Sequence, residues 1–264
     1  MTLASLAEVF AAARSQNRAA LIGYLPAGFP TKARSISAIN AMIEGGVDIV
    51  EVGLPYSDPI MDGLVIQKAT EQSIEHGFHI RDLFDVVRAV NAPTLVMSYW
   101  NPIERFGVTR FADALAAAGG KGVITPDLTI EESAEWREAT SQNLLNRVYV
   151  VAPSTTEERL SKVLPECSGF IYAASLMGVT GVRSTMSTSA ADLVTRIRKI
   201  SKTPVCVGLG VSTGAQAKEI AKYADGVIVG SAFIKLILDS GDEAEANAKV
   251  RELAAELSAS LNRD

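Results

Sequence analysis

Two carboxylates, Glu51 and Asp62, stand eleven residues apart in the stretch EVGLPYSDPIMDG, residues 51–63. Glu51 follows the apolar run VDIV and so falls near the carboxyl end of what reads as a buried strand. By the two-residue alternation of a strand it shares a face with Ile49 and Gly53. If that face is interior, loss of water raises the carboxyl pKa and makes Glu51 a usable proton donor or acceptor near neutral pH. The alternative is a structural ion pair with an arginine or lysine, because an unpaired buried carboxylate is costly. Asp62 follows a loop, Leu54 to Met61, that two prolines stiffen. Two carboxylates on one strand and its following loop can serve as a proton-transfer pair, although Asp62-Gly63 alone would also make a turn. Asp58, next to Pro59, fits a turn or a partner contact.

A second set of residues suits an anion. Gly208-Leu209-Gly210-Val211-Ser212 and Gly230-Ser231-Ala232 each follow an apolar run. Glycines let backbone N–H groups approach a phosphate, and a helix beginning at Ser231 would direct its positive end there. Either segment alone could be an ordinary turn or helix cap; together they suggest a phosphate-ester substrate. A third segment, Gly178 to Ser184, is polar and punctuated by glycine, as a lid over a site would be. Tyr172, just ahead of it, offers a ring and a hydroxyl, although an aromatic on a strand is commonly core. His76 and His79 lack a Cys or carboxylate cluster at ligand spacing, so no metal site is expected. The chain has no plausible Ser/His/Asp set and no phosphate-binding P-loop.

The elements that must position these residues recur along the whole chain. Eight short apolar runs read as strands, at 19–25, 47–53, 92–99, 122–126, 147–153, 169–175, 204–210 and 226–232. Between them lie segments of helical periodicity, several closing on Gly or Asn. Alternation of this kind builds a parallel sheet buried on both faces, and eight units in 264 residues match a (β/α)8 TIM barrel. A doubly wound open sheet is the alternative, but the first strand runs into Leu25-Pro26-Ala27-Gly28-Phe29-Pro30 rather than a glycine-rich dinucleotide turn. With no linker or low-complexity tract, residues 1–264 read as a single barrel domain. In such barrels chemistry sits on the loops after the strands, where the residues above fall.

Leu3, Leu6, Val9, Phe10 and Ala13 recur at helical spacing, predicting an additional amphipathic N-terminal helix rather than a targeting segment. A net charge of -5, with basic residues scattered, gives no footprint for nucleic acid or a membrane surface. No run reaches the roughly 18 apolar residues of a membrane span, and Cys167 and Cys206 read as reduced core thiols. A cytoplasmic protein acting on a small molecule is the expectation.

EVGLPYSDPIMDG, SYWNPI (98–103), FIYAASLMGVTG (170–181), VGLGVS (207–212) and VGSAFIK (229–235) together resemble the tryptophan synthase α subunit family, in family order over nearly the whole chain. The resemblance implies retro-aldol cleavage of indole-3-glycerol phosphate to indole and glyceraldehyde 3-phosphate. It implies that Glu51 is the general acid/base and that Asp62 contacts the indole N–H. Tyr172 lines the site, Tyr24 packs on the indole, Gly181, Gly210, Gly230 and Ser231 match the phosphate-binding positions, and Thr180 is a further substrate-binding residue. It further implies no cofactor in this chain and a partner β subunit carrying pyridoxal phosphate. That partner would receive indole within an α2β2 heterotetramer, with Asp58-Pro59 and Asn101-Pro102 as contact surface. The chain departs from the family pattern at Leu64, Val65, Leu176 and Phe29. Other phosphate-handling barrels, such as ketose-phosphate epimerases or phosphoribosylanthranilate isomerases, would share the late glycines but not the acid pair. A silent binding subunit would not need both acids.

Overall fold

A computed structural model describes residues 3–174, 183–208 and 210–263. Its strands are β1 (Ala20–Pro26), β2 (Ile49–Gly53), β3 (Thr94–Met97), β4 (Gly122–Ile124), β5 (Asn146–Val148), β6 (Val150–Val151), β7 (Ile171–Ala174), β8 (Val205–Gly208) and β9 (Gly226–Val229). The helices are α1 (Leu6–Ser15), α2 (Lys32–Glu44), α3 (Leu64–Glu75), α4 (Ile80–Ala89), α5 (Trp100–Phe106), α6 (Val108–Ala117), α7 (Ala134–Gln142), α8 (Glu157–Val163), α9 (Arg183–Arg198), α10 (Gly214–Ala221), α11 (Ser231–Leu238) and α12 (Glu243–Ser260).

All the strand pairings are parallel, in the order β5-β4-β3-β2-β1-β9-β8-β7-β6. The two ends of that order, β5 and β6, are consecutive in the chain and together form one interrupted stave. Val148 O accepts from Thr125 N on the β4 side (3.3 Å), whereas Tyr149 O accepts from Tyr172 N on β7 (3.3 Å). Neighbouring carbonyls thus face opposite strands, and the barrel closes at Tyr149. The expected eight staves are present, the fifth split into two short strands.

Both faces of each stave are buried, which is why the strands read as near-continuous apolar runs. Ile22, Ile49, Leu95, Ile124, Val148, Phe170, Cys206 and Ile228 fill the interior, and Leu6, Phe10 and Ala13 of α1 join the same cluster. The predicted N-terminal helix therefore closes the amino-terminal end of the barrel, with the Phe10 and Phe170 rings edge to face at 6.1 Å. Ser5 and Glu8 form a capping box that starts it. Outside the strands, a larger apolar cluster under α2–α7 and α10–α12 and a smaller one under α8 and α9 complete the core. Cys167 and Cys206 are buried free thiols, and among the described residues no helix is long and apolar enough to cross a membrane.

Three helices bury few bulky side chains. In α3 the buried positions are Ala69, Thr70 and Ser73, and in α12 they are Ala246, Val250, Ala254 and Leu257, so small or polar residues occupy much of the inward face. Close approach replaces bulk: a Cβ on Gly45 would lie 2.5 Å from Ala254 Cβ. The third, α5, holds seven residues, and only Ile103 is buried.

Candidate active site

Strand alternation sends Ile49 into the packed interior, and the same face brings Glu51 to the mouth. There it is 3% exposed, flanked in register by Tyr24 on β1 and Leu95 on β3. Among the described residues no arginine or lysine pairs with it, and its Oε2 is buried without a hydrogen-bond partner. The described residues thus supply no ion pair for Glu51. Burial, then the nearby charge of Asp62, pushes the Glu51 carboxyl up to about 8. A carboxyl of this kind is protonated in part at neutral pH and can both give and take a proton.

Asp62 reaches the same cavity from the loop after β2. That loop is tied down at several points. Leu54 N donates to Met97 O at 2.8 Å, Met61 N donates to the Tyr99 hydroxyl at 3.0 Å, and Gln67 Nε2 donates to Asp62 O at 2.7 Å. Partial burial raises the Asp62 carboxyl, and a hydrogen bond from Tyr99 opposes that rise by favouring the ionised form. Tyr99 itself is pushed up to about 12, chiefly by burial. The two acids thus occupy different settings: Glu51 in an apolar one, Asp62 beside a hydroxyl donor.

Tyr24, Glu51, Asp62, Tyr172, Gly210, Gly230 and Ser231 line one cavity of about 380 Å³ at the carboxyl ends of the strands. Met97, Ile124, Val150 and Ile228 supply an apolar wall on which a flat ring can lie. Gly230 caps α11, and Ser231 begins it, while Gly210 has φ +80°, a conformation that favours glycine. Of the remaining predicted residues, Thr180, Gly181, Leu176 and most of the lid segment 178–184 lie outside the described residues. His76 Nδ1 lies 2.6 Å from Pro30 O, and His79 caps α4. No group of three metal-ligating side chains occurs among the described residues.

Sequence reasoning overlooked Tyr99 and the reason for Gly53 and Gly208. A Cβ on Gly53 would lie 2.4 Å from the Tyr24 hydroxyl, and one on Gly208 would lie 2.5 Å from that of Tyr172. These strand-end glycines are the slots into which the two site tyrosines fit. A glycine at an interior strand position marks close approach, but which side chain approaches cannot be read locally.

A closed parallel barrel with paired carboxylates in a cavity at its carboxyl-terminal face defines the class of (β/α)8-barrel enzymes. The family profile described as Tryptophan synthase alpha chain matches residues 10–262. The chain is 55% identical over 256 residues to the tryptophan synthase alpha chain of Streptomyces coelicolor, covering 96% of this chain and 94% of the relative. Identity to the Nocardia farcinica alpha chain is 56% over 255 residues, with 96% and 94% covered. A solved structure of Mycobacterium tuberculosis tryptophan synthase matches with a TM-score of 0.91 at 47% identity, covering 99% of this chain and 100% of that one. The chain belongs to the tryptophan synthase alpha chain family. Its reaction is the lyase cleavage of indole-3-glycerol phosphate.

Proposed function

We propose that Glu51 is the general acid and base of that cleavage and Asp62 the carboxylate that activates the ring. The observation that carries the assignment is the contrast between the two acids: Glu51 is buried with no cation beside it among the described residues and its carboxyl is pushed up to about 8, whereas Asp62 is less buried and the neighbouring Tyr99 hydroxyl favours its ionised form. Breaking the bond from indole C3 to the glycerol phosphate chain needs a proton on C3 and removal of the proton from the hydroxyl on the departing carbon. Protonated Glu51 supplies the first; the carboxylate left behind accepts the second as the aldehyde forms and the bond's electron pair returns to the ring. Glu51 then holds its proton again. Ionised Asp62 accepts a hydrogen bond from the indole N–H and stabilises the positive charge that C3 protonation places on the ring. Tyr24 and Tyr172 pack about the indole. Gly210, Gly230 and Ser231, with Gly181, take the phosphate, and Thr180 contacts the substrate.

In this family the α chain carries no cofactor and works with a β subunit. That the partner holds pyridoxal phosphate, that the assembly is an α2β2 heterotetramer, that it works in the cytoplasm and that residues 1–264 form one domain belong to the same proposal. Exposure supports the strand-two loop as the docking face: Asp58 is exposed, and Ile60 and Leu64 are 77% and 82% exposed apolar residues beside it. The test is to mix the chain with indole-3-glycerol phosphate, with and without a β subunit, and to follow indole release. Glu51→Gln is expected to abolish turnover and retain substrate binding; wild-type turnover at saturating substrate would remove Glu51 from the role.

A further inference from the structure

The loop after β4 carries a carboxylate, Asp127, that does not line the cavity but grips the neighbouring loop. Its Oδ1 and Oδ2 both accept from Trp100 N, at 2.9 and 3.1 Å. Trp100 opens α5, whose N-cap is Tyr99. A charged acceptor on a backbone N–H is among the stronger hydrogen bonds, so the turn that presents Tyr99 is held from the adjacent stave. Tyr99 is 3% exposed and packs against Tyr56 at 5.5 Å between ring centroids, and its hydroxyl accepts from Met61 N at 3.0 Å. Met61 immediately precedes Asp62. The contacts thus run across three successive strand ends, from Asp127 after β4, through Trp100 and Tyr99 after β3, to Asp62 after β2.

We propose that Asp127 is a positioning residue for the lyase reaction, holding Tyr99 so that the strand-two loop sets Asp62 against the indole nitrogen. This rests on the role given to Asp62 above. The anchor nearest Asp62 on its amino-terminal side is the Met61 N to Tyr99 hydroxyl hydrogen bond, and a displacement of about 1 Å at a reacting group can cost on the order of 100-fold in rate. A purely structural cap would lower stability and leave the chemistry of the folded enzyme unchanged.

The test compares Asp127→Ala, Asp127→Asn and Tyr99→Phe, singly and with Asp127→Ala combined with Tyr99→Phe, by indole release and by thermal unfolding. Asp127→Ala is expected to lower kcat about 10-fold or more with KM within about 3-fold, because orientation in the transition state is lost rather than ground-state binding. Asparagine can still accept from Trp100 N, so Asp127→Asn is expected to recover most of the rate. In the Tyr99→Phe background the Asp127→Ala cost is expected to shrink, since the two residues act through one contact. A pH profile adds a readout that stability alone does not move. The titratable groups about Asp62 are Glu51 on β2, Tyr24 on β1, Tyr172 on β7 and Tyr99. Of these Tyr99 favours the ionised form, so loosening it moves the acidic limb of kcat to higher pH in Asp127→Ala and Tyr99→Phe alike. Unchanged kcat in folded Asp127→Ala, or full additivity with Tyr99→Phe, overturns the proposal; if Asp127→Ala does not fold, the Asn variant decides by its pH profile, an acidic limb moved part-way supporting the proposal and a wild-type limb with lowered kcat overturning it. Asp62→Asn, assayed in parallel, separates the two readings. Wild-type turnover there removes the role of Asp62 itself, whereas an inactive Asp62→Asn beside a fully active Asp127→Ala removes only the inference.

Discussion

Glu51→Gln should stabilise the fold as it destroys activity, and the gain should depend on pH in a defined way. The Glu51 carboxyl moves from an ordinary 4.5 to about 8 on folding. Below pH 4.5 it is protonated in the folded and unfolded chain alike, and its burial carries no ionisation penalty. Between 4.5 and 8 the unfolded chain releases the proton while the folded protein keeps it, so stability falls by about 1.4 kcal/mol per pH unit. Above 8 both states are ionised and the loss stops growing. At pH 7 the wild type has therefore given up roughly 3 kcal/mol that a neutral glutamine of the same shape does not lose. For a chain of this size that is a Tm gain of roughly 6 °C or more. Urea unfolding of both proteins at pH 5 and pH 7 measures it: the variant's advantage should grow from under about 1 kcal/mol to about 3 kcal/mol. A glutamine amide that fits its site well or badly adds a constant offset and leaves this pH dependence intact. An advantage equal at both pH values, or shrinking as pH rises, would refute the claim that Glu51 is buried without a compensating charge.

Three further outcomes test the site. Asp62→Asn should lower kcat about 100-fold or more with a smaller change in KM, and a near-normal kcat would contradict its role at the ring nitrogen. Gly53→Ala puts a Cβ 2.4 Å from the Tyr24 hydroxyl, so it should cost roughly 1–3 kcal/mol in urea unfolding. Tyr24→Phe should relieve part of that cost, and an equal cost in both backgrounds would show that the ring is not the obstacle. Glycerol phosphate should compete with substrate, and Gly230→Val should weaken that competition about 10-fold or more; unchanged inhibition would move the phosphate elsewhere.

Most staves were legible because each needs apolar side chains on both faces, and that demand is written in consecutive residues. Helices α2, α4 and α6 were legible for a related reason, an apolar stripe recurring at helical spacing. The helices α3, α5 and α12 were overlooked because small residues pack their inward faces or because they are short. The interruption of the fifth stave was hidden too, since RVYVVAP alternates without fault and the break at Tyr149 reflects which neighbour each carbonyl meets. Tyr99 passed unnoticed inside SYWNPI because its partner, Met61 N, is 38 residues away.

By itself the sequence determined the repeating strand–helix order, the amphipathic first helix and the delivery of Glu51 to a strand end with Asp62 on the loop behind it. These follow from periodicity and loop chemistry, which act between neighbours along the chain. Only the tertiary structure decided that Glu51 has no ion-pair partner among the described residues, that its carboxyl is held up to about 8, and that Tyr24 and Tyr172 slot over Gly53 and Gly208. The physical reason is that a pKa and a steric slot depend on what excludes water and fills space from all sides. The groups that do so here come from strands β1, β3, β4, β6, β7, β8 and β9, which meet only when the barrel closes.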